Sequence, residues 1–384
     1  MTQIINRFKR DGLLVNINLI FFMFVPLILI GKLVRWTFMR PVLVDYGIGF
    51  SYLRMAFDER IDMRSGTGLI LGEFILFFSR FGLTTYIQFE ILITVLWNIM
   101  IFIMLLKCNK YLTFMQAIFV ALSVMVLNIF AFTIAKEPFQ MLYFILIYPV
   151  LCSEKLSYRV KFLLVSAIIV FSAITFRMYF YFIVYYMIIG QISLALLLRR
   201  HKPLIVTLAF MLLVNAIGYF TLFHIMPHIS YTHYHELLRV RQHTRGPDAT
   251  SVIAPSTRVD TYFWISINYI VISLRLLFPV ELLRLGIRFW PYVLYQLVIT
   301  GVFLRCLATY SKSSDGVKLA TLVFFGFFAV SASFEPDFGS WIRHESVLFP
   351  MFLIMTRIKS VDKQVKKSCC TKDGDNIETN LTRI

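Results

Sequence analysis

The residues of this chain most able to do chemistry are charges placed at the edges of apolar runs. Lys136 and Glu137 stand together where one apolar run ends and the next begins, and Arg177 interrupts the apolar stretch 162–198, closely followed by Tyr179. A charge at membrane depth is costly, so such residues are functional candidates by default. Guanidinium and ammonium groups there predict binding of an anion such as a phosphate or diphosphate. For Lys136 and Glu137 the alternative is a self-neutralising pair at the membrane interface.

A third charged segment, 334–345, follows a later apolar run and contains Asp337, Arg343 and His344. Arg343 and His344 are adjacent and directly precede another apolar run. We expect Arg343 to lie at the outer end of a membrane-spanning helix, at the depth of lipid headgroups. His344 beside it has two interpretations, a proton-transferring group or a passive headgroup contact.

The composition places these residues in a membrane protein. The chain has 384 residues, 59% of them hydrophobic and 15% charged, with a mean hydropathy of +0.75. Soluble domains are closer to half apolar and a quarter charged. Apolar runs long enough to cross a bilayer recur between residues 13 and 357. The net charge of +17 is explained by cationic loops that face anionic lipids, so nucleic acid is not an expected partner.

The predicted fold class is all-α, a polytopic integral membrane protein with about ten transmembrane helices. The apolar stretches 67–82 and 262–283 carry internal charges, so they are predicted as two outer interfacial helical segments. The predicted spans are 13–34, 86–106, 112–133, 138–152, 161–176, 179–198, 203–224, 287–307, 318–334 and 345–357. This places both termini and every lysine except Lys32 and Lys136 on the inner side. Counting the two stretches as spans would instead reverse the inside–outside orientation of the middle of the protein and place its short Lys/Arg loops outside.

The domain organisation follows from this topology. Residues 1–357 form a single transmembrane domain, and the polar tail 358–384 is predicted to be disordered and cytoplasmic. The outer loops are predicted at about 35–85, 225–286 and 335–344.

The order of the sparse charges resembles that of bacterial polysaccharide polymerases, which join the repeat units of O-antigen or capsule. It is also similar to polyprenyl-phosphate-dependent membrane glycosyltransferases of the C-type fold. The residues that carry the resemblance are Lys136-Glu137 opening a span, Arg177 followed by an aromatic residue, Leu277-Phe278-Pro279 ending an outer helix, and Phe338-Gly339, Arg343-His344 and Pro350 near the end.

The resemblance implies an enzyme of the bacterial inner membrane that joins polyprenyl-diphosphate-linked oligosaccharide units at the outer face. It implies a lipid-linked glycan, membrane lipid and a chain-length regulator as partners, and no cofactor. Two alternatives stay open. One is a C-type transferase that adds a single sugar from a polyprenyl-phosphate donor, and the other is a transporter or flippase of lipid-linked glycan. A flippase would carry its cations in the middle of its spans, whereas here they are predicted at the outer face.

The same resemblance assigns roles to the candidate residues. Cations at the outer face would stabilise the leaving diphosphate, and a carboxylate would take the proton of the acceptor hydroxyl. The first candidate for this base is Asp58, with Glu59 and Asp337 behind it. The predicted catalytic residues are Asp58, Glu59, Arg177 and Arg343; the predicted substrate-binding residues are Lys136, Glu137, Tyr179, Arg239, Arg241, Arg245, Asp337 and His344.

The histidines of the second outer loop raise the question of a metal site. His233 and His235 share a face only if the segment is extended, and no cysteine or His-x3-His spacing accompanies them. No metal site is therefore predicted. The expected role of this loop is sugar binding through its tyrosines and the arginines at 239–245.

Overall fold

The computed structural model describes residues 14–39, 67–108, 111–198, 262–335 and 337–357, and the single positions 213, 217 and 253. Nearly all of this part is helical, which confirms the all-α class. The exception is a short antiparallel ladder in which strand β1, Leu14–Asn16, pairs with strand β2, Tyr111–Thr113. The predictions for Asp58, Glu59, Arg239, Arg241 and Arg245, the span 203–224 and the tail lie outside the described residues.

Twelve α-helices are present in the described ranges. They are α1 Ile17–Val34, α2 Thr67–Ser79, α3 Tyr86–Cys108, α4 Phe114–Val126, α5 Glu137–Cys152, α6 Tyr158–Thr175, α7 Tyr181–Leu198, α8 Tyr262–Leu277, α9 Trp290–Ala308, α10 Asp315–Phe334, α11 Phe338–Ser346 and α12 Phe349–Met355. Helices α1 and α4 each continue into one wider π-helical turn, Arg35–Met39 and Leu127–Ala131 respectively.

The helices support a membrane protein. Those long and apolar enough to cross a bilayer are Tyr86–Leu106, Phe114–Ala131, Tyr158–Thr175, Trp290–Ala308 and Asp315–Ala332. Shorter apolar helices occupy Ile70–Ser79, Glu137–Cys152, Tyr181–Ala195 and Ser266–Leu277. The two stretches predicted to be interfacial are helical and belong to this shorter class, while the total of ten spans stays a prediction.

The C-terminal end of the described chain differs in detail from the predicted span 345–357. Helix α11 already begins at Phe338 and ends at Ser346, and α12 begins at Phe349. Pro350 stands in the first turn of α12, where its missing amide hydrogen is not needed and its fixed φ favours a helix start. Much of the segment predicted as the third outer loop is therefore the helix α11.

The charged side chains gather at one end of the helices, here called the charged end. The C-terminus of α1 meets the N-terminus of α3 there through a Lys32–Glu90 ion pair of 3.0 Å. The N-terminus of α5 meets α11 at the same end, through a contact of 3.0 Å between His344 and Glu137. At the opposite end, the Arg357 guanidinium donates to the Tyr148 hydroxyl over 2.7 Å. These contacts group the charged ends of α1, α3, α5 and α11 together, while the sidedness of the topology stays a prediction.

Helix α10 lies at the centre of the assembly, with 89% of its apolar span buried. It packs most closely against α7, where both helices contribute glycine. A Cβ atom at Gly326 would lie 2.5 Å from the Ile183 carbonyl oxygen, and one at Gly190 would lie 2.9 Å from the Phe325 ring. Small residues allow this approach, which matters in a bilayer because lipid provides no hydrophobic force between helices.

Gly326→Ala should lower the stability of the protein because the new methyl group meets a backbone oxygen that cannot rotate away. Overpacking of this kind costs about 1–3 kcal/mol. Gly301→Ala on α9 is the matched control, since no heavy atom lies within 4 Å of its new Cβ. Thermal unfolding of the two detergent-purified variants checks this. An equal melting temperature for both would show that α7 and α10 are not closely packed.

Candidate functional site

The centre of the charged end is a histidine between two buried glutamates. His344 Nε2 lies 3.0 Å from Glu137 Oε1, and His344 Nδ1 lies 2.5 Å from Glu335 Oε1. Each ring nitrogen of His344 thus faces one carboxylate oxygen, so the imidazole links the two glutamates. We call these three residues the histidine bridge.

Local sequence explains why each member of the bridge is presented here. Glu137 opens α5 next to Pro138, so its carboxylate is also stabilised by the positive end of the helix dipole. Asp337 caps α11 by accepting from the Ser340 amide over 2.7 Å, and this starts the short helix that carries His344 in its last turn. Glu335 directly follows the end of α10. The bridge therefore joins the ends of three helices.

Three further cations lie around the bridge: Lys136 directly before α5, Arg177 between α6 and α7, and Arg343 on α11. Arg177 lies in the turn between α6 and α7; its Nη2 is 3.3 Å from His344 Nε2, and it donates to the Tyr179 hydroxyl. The guanidinium lies 5.3 Å from the centre of the Tyr179 ring, in the range of a cation–π contact. On α11, Arg343 donates to the Ser340 hydroxyl over 3.2 Å. Lys136 lies within electrostatic range of both arginines.

The crowding of cations changes the acid–base properties of the site. Burial and then the charge of Arg177 lower the pKa of Lys136 to about 8, although Glu137 acts in the opposite direction. Burial alone would raise the pKa of Glu335, but His344, followed by Arg177 and Arg343, holds that pKa below its usual value.

The Lys136 ammonium group has no hydrogen-bond partner among the described residues. It is only partly exposed, and the nearby charges of Arg177 and Arg343 act on it. An ammonium group in such a poorly solvated position is stabilised by an anionic ligand.

A second charged group supports the segment that leads to Lys136. Glu90, buried near the start of α3, accepts from Lys32 Nζ over 3.0 Å and from Arg35 Nε over 2.8 Å. Both cations also bind the chain after α4: Arg35 donates to the Ile129 carbonyl over 2.7 Å, and Lys32 donates to the Phe132 carbonyl. We call Lys32, Arg35 and Glu90 the clamp.

The clamp has a simple physical cause. The π-helical turn Leu127–Ala131 ends α4 and leaves carbonyl groups without partners from the helix. Buried carbonyl groups need donors, and the two cations supply them. The carboxylate between them offsets their charge. The clamp residues of α1 and α3 therefore fix the chain that leads from α4 to Lys136 and Glu137.

The structure brings together most of the residues that the sequence singled out. Those found at the site are Lys136, Glu137, Arg177, Tyr179, Asp337, Arg343 and His344. Asp337 has a cap interaction that accounts for its position. In the described ranges, no group of at least three His, Cys, Asp or Glu side chains could hold a metal ion.

Sequence reasoning missed Glu335 and the clamp. Glu335 was part of the third charged segment but had no assigned role. Glu90 and Lys32 were visible signals, because each is a charge within a predicted span. Their pairing was not visible, since 58 positions separate them.

His344→Gln should destabilise the folded protein strongly, because Glu137 and Glu335 would lose the imidazole that contacts both of them. Removing one partner of a buried pair costs about 3–5 kcal/mol. Glu281→Gln is the control: it breaks an ion pair with Arg275 that is partly exposed, and such pairs contribute about 0–1 kcal/mol. Thermal unfolding at neutral pH compares the two, and equal losses would argue against the histidine bridge.

Comparison of the chain with protein-family models, with curated proteins and with solved structures found no match in any of the three. What the chain does is therefore inferred from its own residues.

Proposed function

We propose that the chain is a polymerase of surface polysaccharide. It would join polyprenyl-diphosphate-linked oligosaccharide units at the outer face of the inner membrane, in the synthesis of O-antigen or capsule. The observation that carries the proposal is the convergence of Lys136, Arg177 and Arg343 on the histidine bridge, at one end of the helices. The sequence resemblance adds the substrate class.

The chemistry of a diphosphate leaving group suits this site. The acceptor hydroxyl attacks the anomeric carbon of the donor glycan, and the bond from that carbon to the diphosphate oxygen breaks. The electron pair stays on the diphosphate, so negative charge grows there. Arg177 and Arg343 offer planar guanidinium groups that can grip phosphate oxygens through two hydrogen bonds each, and Lys136 adds a point charge. Fixed cations stabilise such a transition state without reorganisation.

The position of the cations along the helices fits a lipid-linked donor. Lys136 lies between α4 and α5, Arg177 between α6 and α7, and Arg343 on the short helix after α10. Helix ends of a membrane protein lie near the headgroups, where the diphosphate of a polyprenyl lipid also lies. The lipid chain can then stay in the bilayer while the sugar faces water.

The histidine bridge would keep the cations available to the substrate. Glu137 and Glu335 each use one oxygen in the contact with His344. Their charge also favours the protonated forms of Arg177 and Lys136. The carboxylates thus attract the cations to one place without neutralising all of them.

The two alternatives make different demands on the structure. A single-sugar transferase needs the same grip on a phosphate, so the product is what separates it from a polymerase. A transporter needs charges along a path through the spans. In the described part of the chain, the clamp and the histidine bridge both lie at helix ends, which favours an enzyme working at the membrane face.

Deletion of the gene in its host should collapse the long surface-polysaccharide ladder to a single repeat unit. Wild-type protein should restore the ladder, and Arg343→Ala should not, because the leaving diphosphate loses a cation. Arg284→Ala is the matched control, since Arg284 is exposed and lies outside the site. The measurement is a gel of the extracted polysaccharide, with expression of each variant confirmed.

The same gel distinguishes the alternatives. Loss of even the single unit after deletion would indicate a transporter or an earlier enzyme of the process. A complete ladder of altered mobility would indicate a transferase that adds a side sugar. Either result would refute the polymerase.

Binding of inorganic pyrophosphate to the purified protein should weaken as the pH rises through and above about 8. The cause is the pKa of Lys136, which is about 8: below this pH the ammonium is charged, and above it the charge is lost. Bound anion raises that pKa, so the decline begins at or above this value. Lys136→Arg should keep binding to higher pH because arginine stays protonated. An identical pH profile for both proteins would exclude Lys136 from the anion site.

A further inference from the structure

A group of buried polar side chains whose hydrogen-bonding capacity is not fully used lies beside the charged site. Each has at least one buried polar atom without a hydrogen-bond partner among the described residues, and each is within about one helical turn of the site or of another member. They are Gln140, Tyr292, Gln296, Trp341 and Glu345. Buried polar atoms normally find partners, so this concentration needs an explanation.

Glu345 is the one carboxyl group among these residues. It follows His344 on α11 and is fully buried. Its Oε1 accepts from Gln296 Nε2 over 2.9 Å, and its Oε2 has no partner in the part of the chain described. Unlike Glu137, it has no ion pair with a described cation. A buried carboxyl group held by one amide leaves its second oxygen for another hydrogen-bond partner.

Helix α9 places two more of these groups against Glu345. Tyr292 and Gln296 are four residues apart and therefore share a face of the helix. The Tyr292 hydroxyl and Gln296 Oε1 both lack partners among the described residues. Tyr292 is within electrostatic range of both Glu345 and Glu335. Its hydroxyl is thus close enough for the charges of both residues to act on it.

Trp341 and Gln140 extend the group along α11 and α5. Trp341 precedes Glu345 by one turn, is fully buried, and its indole N–H has no acceptor in the described ranges. Its ring stacks near Phe327 at 6.2 Å between centroids. Gln140 follows Glu137 by one turn, and neither end of its amide has a partner there.

We propose that these five residues form a subsite for a sugar of the acceptor glycan, and that Glu345 takes the proton of its attacking hydroxyl. This rests on the proposed function. Phenol, amide, indole N–H and carboxylate together offer donors and acceptors that suit sugar hydroxyls. The groups are closed off from solvent here, so the sugar enters with a rearrangement of the surrounding side chains.

The proposed step balances as follows. The acceptor oxygen forms a bond to the anomeric carbon, and its proton passes to Glu345 Oε2. The bond between that carbon and the diphosphate oxygen breaks, and the electron pair leaves with the diphosphate next to Arg177 and Arg343. No further reactant is required. Gln296 orients the carboxylate through Oε1, which leaves Oε2 directed to the hydroxyl.

The test uses purified protein in liposomes supplied with lipid-linked repeat units extracted from the deletion strain. Glu345→Gln should reduce chain extension by about 100- to 10,000-fold, the usual effect of losing a general base. Inorganic pyrophosphate binding should be unchanged, since the charged site stays intact. Glutamine can still accept from Gln296, so folding should be preserved; a melting curve checks this.

Tyr292→Phe provides a second variant that removes only a hydroxyl. We expect chain extension to fall by about tenfold, the loss of roughly one hydrogen bond. Tyr186→Phe on α7 is its control, because that hydroxyl is also buried without a partner in the described residues but has no place in the subsite. Equal activity of the two phenylalanine variants would overturn the sugar subsite.

Other outcomes separate this inference from the proposed function. If Glu345→Gln extends chains normally, Glu345 is not the base and the group binds only ordered water. If wild-type protein binds pyrophosphate but moves lipid-linked glycan across the liposome without extending it, the polymerase is wrong, and the subsite proposal falls with it. Loss of that movement in Glu345→Gln would then make Glu345 a proton-carrying residue.

Discussion

The charged end of this protein depends on one interaction, a histidine that contacts two buried glutamates. In a medium of low dielectric, two carboxylates close together are strongly unfavourable, and the imidazole between them contacts one oxygen of each. Because Glu137, Glu335 and His344 come from three different helices, this bridge also fixes how the helix ends meet. The position of Arg177 beside His344 follows from it.

The clamp solves a different problem at the same end. A helix that ends inside a membrane protein leaves carbonyl groups that water cannot reach. Lys32 and Arg35 supply donors to those carbonyls, and Glu90 keeps the two cations buried. The segment after α4 is therefore held on one side by the clamp and on the other by the histidine bridge. Lys136 belongs to this segment, and its position therefore depends on both groups.

Features that depend on neighbouring residues could be predicted from the sequence. The membrane class follows from the length of the apolar runs, because a bilayer sets the length of a spanning helix. The start of α5 at Glu137 and the turn at Arg177 follow from Pro138 and from an apolar stretch too long for one span. Since helix ends alternate between the two sides, the sequence also predicted that Lys136, Arg177 and Arg343 would lie on one side.

Only the tertiary structure decided which charges are partners. His344 and Glu137 are more than two hundred positions apart, and nothing local distinguishes Glu335, which joins the bridge, from Glu345, which faces α9. That choice depends on how α11 is rotated against its neighbours, and a change of one residue turns a helix by about 100°. The sequence thus determined which kinds of side chain stand at the helix ends. Helix packing decided which of these charges contact one another.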